Sequence, residues 1–265
     1  MKAFKLYISF FVIVLAATSC TKVIDLKLGN DTGKLVIEAN ITNAPGPQYI
    51  TLSKNVPFTN TNTYPAVTGA TVTVTDNNGN TYPFTEGPAG TYSITPLRGI
   101  EGATYKMSVL TDGTTYTASS TMPQFVALDS ITSKNNEFDA SKNKKQITVH
   151  FLDPVGVPNQ YRFVMYVNSV QVKDVFAIDD EFTDGRYVDF DLLENDLDIY
   201  PGDTVKVEMQ CVDKPIYTYW FSLEQQSPNG PGGGVSPSNP PTDITPVSLG
   251  YFSAHTTQTR TIVVK

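Results

Sequence analysis

Short segments in which apolar and polar residues alternate recur along most of this chain, separated by turns rich in Gly, Asn and Pro. Residues 34–41, 48–53 and 70–75 alternate in this way, and the last of these is followed by Asp76-Asn77-Asn78-Gly79-Asn80 and a further β-forming run. Successive side chains of an extended strand point to opposite faces, so this period predicts half-buried strands. An Asn-Gly turn between two such runs predicts a hairpin. The sequence therefore predicts an all-β protein.

Two β-rich regions follow from the spacing of these runs. About seven short strands with turns every 8–12 residues are typical of an antiparallel sandwich, so we predict an immunoglobulin-like domain over residues 34–124. A second β-rich domain is predicted over residues 125–265. Its predicted strands lie at 145–152, 161–168, 170–177, 186–192, 204–212, 247–254 and 260–265.

Two segments of the second region depart from the strand pattern. Residues 215–226 begin with proline and carry apolar residues at helical spacing, which predicts one short helix whose aromatic face packs on the sheet. Residues 227–246 contain six Pro and four Gly, so we predict an irregular loop outside the core. Long loops inside compact domains are often functional, which makes this loop a weak candidate for a binding surface.

The N-terminus has the organisation of an export signal. Lys2 and Lys5 precede an apolar stretch of about a dozen residues, too short for the roughly 20 needed to span a membrane. Ala17-Thr18-Ser19-Cys20 then resembles the lipobox of bacterial lipoproteins, with Ala17 in place of the usual leucine. We predict a signal peptide at 1–19, lipidation at Cys20 and a tether at 20–33. An ordinary cleaved signal or an uncleaved anchor remains the alternative.

Charge narrows the range of partners. Removal of residues 1–19 takes away two of the 19 basic side chains and none of the 26 acidic ones, so the net charge changes from −7 to −9. An acidic chain repels phosphate backbones, and we therefore predict no nucleic-acid partner. Attachment to a bilayer is expected to come from the lipid on Cys20 alone.

The search for catalytic motifs is negative. His150 lies in a predicted strand and His255 just after one, with neither near a nucleophile or metal-binding motif. Cys211 has no neighbouring base and is expected to be a buried strand residue. The sequence therefore predicts no enzyme, no catalytic residue and no cofactor.

Metal and glycan binding have limited support. In a calcium-loop template Asp180 and Asp184-Gly185 would fit the first, fifth and sixth positions, but Phe182 occupies the third. Solvated loop charge is the favoured interpretation, and we predict no metal site. Aromatic platforms for a glycan could be drawn from Tyr64, Tyr200, Tyr251 and Phe252, which sit beside turns or the long loop.

Several short motifs occur in an order that resembles a known family. They are Cys20, Lys34-Leu35-Val36-Ile37-Glu38, Val67-Thr68-Gly69-Ala70-Thr71-Val72, Gly90-Thr91-Tyr92, Gly102-Ala103-Thr104-Tyr105, Phe151-Leu152-Asp153-Pro154, Tyr161-Arg162-Phe163, Pro201-Gly202-Asp203 and Gly250-Tyr251-Phe252. Together they resemble domain of unknown function 4249, a family of exported lipoproteins of Bacteroides-type bacteria. A glycine pair that often precedes the last motif is replaced by Val247-Ser248-Leu249. The family has no established catalytic residues, and its genes tend to accompany TonB-dependent outer-membrane transporters.

The resemblance implies a non-catalytic, lipid-anchored protein of the outer membrane that is an accessory or ligand-binding partner of such a transporter. Which face of the membrane it occupies is left open. One alternative is a structural or adhesive surface module. Another is a hydrolase, which would need an acid–base pair in a cleft.

Overall fold

The first seven strands form a sandwich of two sheets. In the computed structural model, which describes residues 32–57, 63–137, 139, 143–226 and 238–265, β2 pairs with β1 and β5 while β3 pairs with β4 and β6. Strand β4 also pairs with β5 and so joins the two sheets. The strands are β1 Leu35–Thr42, β2 Gln48–Lys54, β3 Thr71–Asp76, β4 Thr81–Glu86, β5 Thr91–Ile94, β6 Thr104–Thr111 and β7 Thr114–Thr121.

Alternation along these strands builds the first core. Ile37, Ala39 and Ile41 of β1 are fully buried in a core that includes Val74 of β3 and Met107 of β6. Glu38 and Asn40, which alternate with them, are exposed and partly exposed. Because the strand period is two, one face of each sheet enters this core and the other meets solvent.

A second sandwich follows. A three-stranded sheet in the order β13-β9-β8 packs on strands β10, β14 and β15 around a core that includes Phe151 and Phe163. The elements are β8 Leu128–Asn135, β9 Lys145–Leu152, β10 Gln160–Val167, β11 Val170–Gln171, β12 Phe176–Asp179, β13 Tyr187–Leu192, β14 Thr204–Cys211, α1 Lys214–Glu224 and β15 Leu249–Val263. The predicted all-β class, an immunoglobulin-like N-terminal sandwich followed by a β-rich region with one short helix, is confirmed for the described residues.

The long strand β15 belongs to both sandwiches. Its first half pairs in parallel with β1, and its second half pairs antiparallel with β14. Phe252 and Ala254 lie in the first core, and Val264, just beyond the strand, lies in the second. Gly250 allows the close approach to β1: its φ is +94°, and a Cβ on it would overlap the carbonyl oxygen of Ile37. The parallel pairing is one departure from the predicted antiparallel sandwich.

The structure corrects the sequence predictions at four places. Residues 247–254 and 260–265 were expected to form separate strands, but they belong to the single strand β15. The predicted strand 170–177 is interrupted between β11 and β12, and β8 has no counterpart in the prediction. Residues 227–237 of the predicted loop 227–246 lie outside the described residues. In the described part, Ile244 is buried in the first sandwich, and Thr245 forms a β-bridge with Thr117.

The helix α1 has a clear start. Asp213 is its N-cap and accepts a hydrogen bond from the backbone N–H of Ile216, and proline occupies the first turn, where no backbone donor is needed. Ile216 and Tyr217 are buried, while Tyr219 and Trp220 pack on Tyr251 of β15, as the sequence predicts for its aromatic face. No helix among the described residues has the length and apolarity needed to cross a membrane.

Candidate ligand-binding site

A cavity of about 750 Å³ lies in the second sandwich region. Its walls come from α1, from β12 and from the ends of β9 and β13, with loop residues at its rim. Pockets that bind small organic molecules usually have volumes of about 300–1,000 Å³. The cavity is therefore large enough for a small organic ligand.

Aromatic side chains from three elements form its apolar wall. Phe176 of β12, Phe190 of β13 and Phe221 of α1 all line the cavity. Phe190 is stacked on Phe163 with ring centroids 6.0 Å apart, and Phe221 is stacked on Tyr217 at 5.3 Å. Because Phe190 and Phe221 are each stacked on a neighbouring ring, this wall is preorganised for an apolar group.

Glu224 places a carboxyl group on the helical side of the cavity. Its Oε2 accepts a hydrogen bond of 3.3 Å from the backbone N–H of Ala177 on β12. Burial raises the pKa of Glu224 to about 7, because desolvation disfavours the charged form. Both protonation states of this carboxyl are thus accessible near neutral pH.

Glu194 supplies a second partly buried carboxyl from the loop after β13. Its Oε2 accepts a hydrogen bond of 2.9 Å from the backbone N–H of Leu197. Burial raises the pKa of Glu194, the negative charges of Asp174 and Asp198 raise it further, and the hydrogen bond from Leu197 opposes the rise. Asp174, Glu194 and Asp198 thus bring acidic side chains together at this end of the cavity.

Two lysines line the cavity, and both have partners. Lys145 Nζ donates a hydrogen bond of 2.8 Å to Asn135 Oδ1. Lys144 Nζ lies 2.7 Å from Asp198 Oδ1 and 2.9 Å from Asp139 Oδ2, and the hydrogen bonds to Asp198 and Asp139 raise its pKa. Asp191 in turn is paired with Lys134 at 2.7 Å. Acidic side chains hold Lys144, and carboxyl groups outnumber lysines in the lining, so the cavity favours a ligand that combines an apolar part with hydrogen-bond donors or positive charge.

The residues singled out in the sequence lie elsewhere. Cys20 is outside the described residues. Cys211 is a buried free thiol on β14, and burial raises its pKa, which disfavours the reactive thiolate. Of the aromatic residues considered for a glycan platform, Tyr251 and Phe252 are buried, whereas Tyr64 and Tyr200 are exposed.

The two histidines have different environments. His255 is buried, and desolvation lowers its pKa to about 4, so it is neutral at ordinary pH. His150 lies between Asp189 and Thr132, with 2.5 Å from Nδ1 to Asp189 Oδ1 and 2.7 Å from Nε2 to Thr132 Oγ1. This order resembles a hydrolytic triad, but Asp189 and Thr132 are exposed and none of the three lines the cavity.

The acidic residues between positions 179 and 198 lie in three places. Glu194 and Asp198 line the cavity, and Asp189 of β13 pairs with His150 of β9. Asp180 and Asp184 lie in the loop between β12 and β13, away from the cavity lining.

The sequence matches the family described as "Domain of unknown function (DUF4249)" over residues 21–261, a range that contains both sandwiches almost completely. The chain belongs to this family. A comparison of this DUF4249 chain with curated proteins gives no match.

One solved structure with some similarity is that of Yersinia pseudotuberculosis adhesin InvE, with 20% sequence identity and a TM-score of 0.22. The match covers 68% of the DUF4249 chain and 57% of the adhesin chain. The DUF4249 chain thus spans little more than half of that protein's length, and the likeness is too small to carry an argument about function.

Proposed function

We propose that this DUF4249 protein is a non-catalytic, lipid-anchored protein of the bacterial outer membrane that binds a small ligand as the accessory partner of a TonB-dependent transporter. The cavity carries the ligand-binding part of the proposal. It joins three aromatic rings, two of them stacked on a further ring, to two partly buried carboxyls, Glu194 and Glu224, in a volume suited to a small organic molecule.

Export, lipidation and the transporter rest on sequence. The basic start, the short apolar stretch and the lipobox-like Ala17-Thr18-Ser19-Cys20 support lipidation at Cys20. The resemblance to exported lipoproteins encoded beside transporters supports the partner.

Co-purification tests the location and the partner together. The tagged full chain is extracted from its own cells in a mild detergent, and the recovered proteins are identified by mass spectrometry. We expect a TonB-dependent transporter with the wild-type chain and loss of both palmitate label and transporter with Cys20→Ser. Recovery of no transporter contradicts the accessory role, and unchanged palmitate labelling of Cys20→Ser contradicts lipidation at that residue.

A matched pair of variants tests the cavity. Leu193 lines it and is 46% exposed, while Leu110 on β6 is 44% exposed and lies in the first sandwich. Native mass spectrometry of the purified chain should detect a bound small molecule that is lost with Leu193→Arg and retained with Leu110→Arg. Equal occupancy in the two variants contradicts this site, and no bound molecule in the wild type would favour the structural or adhesive alternative.

Glu194 and Glu224 also give the hydrolase alternative a specific basis. A general acid needs a carboxyl with a raised pKa, and burial raises the pKa of both residues at one cavity. A hydrolase would convert the co-purified molecule into a product, and Glu194→Gln and Glu224→Gln would each abolish that conversion. We expect no conversion by the wild-type chain.

A further inference from the structure

Three aspartates from two separate segments converge at one end of the second sandwich. Asp153 directly follows β9, whereas Asp180 and Asp184 lie in the loop between β12 and β13. One carboxylate oxygen of each lies within 4.8 Å of those of the other two. The loop closes back towards β9, so the cluster is formed by the fold and not by one continuous sequence motif.

Asp153 is buried without full compensation. The residue is 1% exposed, and its Oδ1 accepts a hydrogen bond from the hydroxyl of Tyr161. Its Oδ2 is buried and has no hydrogen-bond partner. Burying a carboxylate oxygen without a partner costs free energy. Oδ2 of Asp153 therefore either carries a proton or is compensated by a positive charge from outside the chain.

The other two aspartates are oriented by the backbone. Asp180 Oδ2 accepts from the N–H of Asn159 at 2.8 Å, and Asp184 Oδ1 accepts from the N–H of Gly156 at 2.6 Å. Each bond fixes one oxygen and leaves the other for a ligand. Thr183 Oγ1, in the same loop, is also buried without a hydrogen-bond partner.

The cluster lacks a compensating cation from the protein. Within the part of the chain that the structure describes, no lysine or arginine forms an ion pair with any of the three aspartates. Arg186 borders the same shallow depression as Asp184 without pairing with it. Like charges this close repel, and a bound cation would remove that repulsion.

We infer that Asp153, Asp180 and Asp184 bind a hard divalent cation of the calcium class. All the available donors are oxygens, which suits Ca²⁺ rather than a thiolate- or imidazole-preferring metal. Ca²⁺ accepts irregular arrangements of six to eight oxygens, so water or backbone carbonyl groups would complete its shell. The bound ion would join the end of β9 to the loop before β13.

Metal binding can be measured on the full chain in detergent after treatment with EDTA. Tyr161 touches the proposed ligand Asp153, so a Tb³⁺ ion bound there should luminesce when tyrosine is excited, and Ca²⁺ should displace it. Saturating Ca²⁺ should raise the melting temperature of the wild type by about 5 °C. Mg²⁺, which requires regular octahedral geometry and dehydrates reluctantly, should have a smaller effect.

Two variants separate binding from folding. Asp184 is exposed, so Asp184→Asn should fold normally and weaken Ca²⁺ binding at least about 10-fold, since even outer-shell changes commonly cost 10- to 100-fold. Asp112→Asn is the matched control, an exposed turn aspartate of the first sandwich, and should bind Ca²⁺ as the wild type does. Absence of Tb³⁺ luminescence and of any Ca²⁺-dependent melting shift in the wild type overturns the inference, as does equal Ca²⁺ affinity in Asp184→Asn and the wild type.

Discussion

Ser120 Oγ donates a hydrogen bond of 2.8 Å to Asp213 Oδ2, which joins the last strand of the first sandwich to the start of α1. The same carboxylate oxygen accepts from the backbone N–H of Thr121 at 2.9 Å, and Oδ1 caps the helix at Ile216. Ser120 Oγ also accepts from the backbone N–H of Ala254 on β15. One partly buried serine–aspartate pair thus connects β7, α1 and β15.

Replacing Asp213 with Ala should lower the free energy of unfolding by about 2 kcal/mol. The change removes the helix cap and leaves Ser120 and the N–H of Thr121 without their acceptor. Asp213→Asn keeps an acceptor oxygen, and burial already raises the pKa of Asp213, so this control should lose less. Urea unfolding followed by circular dichroism measures both, and equal losses would contradict the assigned role.

Two glycines with similar backbone angles provide a test of the β1–β15 contact. Gly250 has φ +94° and faces Ile37, whereas Gly202 has φ +96° and open space around its Cα. Gly202→Ala should cost about 1 kcal/mol from backbone strain alone. Gly250→Ala adds a clash with the β1 backbone and should cost about 1–3 kcal/mol more. Equal shifts in urea midpoint would show that β1 and β15 do not approach so closely.

The pH dependence of stability should report the buried state of Glu224. Its pKa is about 7 in the folded chain and about 4.5 when unfolded. As the pH rises, Glu224 therefore loses its proton at a lower pH in the unfolded chain than in the folded chain. Its contribution to the free energy of unfolding is lost as the pH rises from about 4.5 through 7. Glu224→Gln should remove that loss, so the wild type should weaken relative to the variant between pH 5 and 8.

Glu86 offers a control of opposite sign. Backbone hydrogen bonds from Gly69 and Gly90 lower its pKa, so its contribution is present above its unfolded pKa and is lost as pH falls. Glu86→Gln should therefore alter the stability curve below about pH 4.5 and not between pH 5 and 8. Parallel wild-type and Glu224→Gln curves over the higher range would contradict the burial of Glu224.

Trp220 is the single tryptophan of the chain and can report on α1. The guanidinium carbon of Arg162 lies 3.5 Å from the centroid of the Trp220 ring, and the Arg162 side chain is largely buried. Arg162→Met should cost about 1–2 kcal/mol through the lost cation–π contact and should change the emission of Trp220. Lys206→Met removes an exposed contact with Tyr166 and should leave that emission unchanged. Unaltered emission in Arg162→Met would contradict the stacking.

Most of the strands could be predicted because they alternate, and the failures occur where alternation is absent. β8 has only Leu128 and Ile131 buried among polar neighbours, so it resembles a loop in sequence. β15 is buried on both faces around His255 and Thr256. Polar and apolar residues therefore do not alternate along this part of its sequence. α1 was predictable because proline and helically spaced aromatics occur together.

The candidate sites were less predictable because their residues meet only in the folded chain. Glu194 and Glu224 come from separate segments, and their one local signal is the high density of acidic residues around residue 194. A sequence template for calcium compares positions within one loop, so it could not include Asp153, which precedes that loop by three strands. Burial, which distinguishes these carboxyls from solvated ones, is a property of the packed sheets.

The position of β15 between β14 and β1 constrains the order of assembly during synthesis. Among the described strands, β1 is synthesised first and β15 last, yet the two are neighbours in the sheet. Until β15 emerges, β1 has an open hydrogen-bonding edge, the kind of edge that recruits foreign strands. The N-terminal half of the chain therefore needs protection from premature pairing, by a chaperone or by rapid delivery of the final strand.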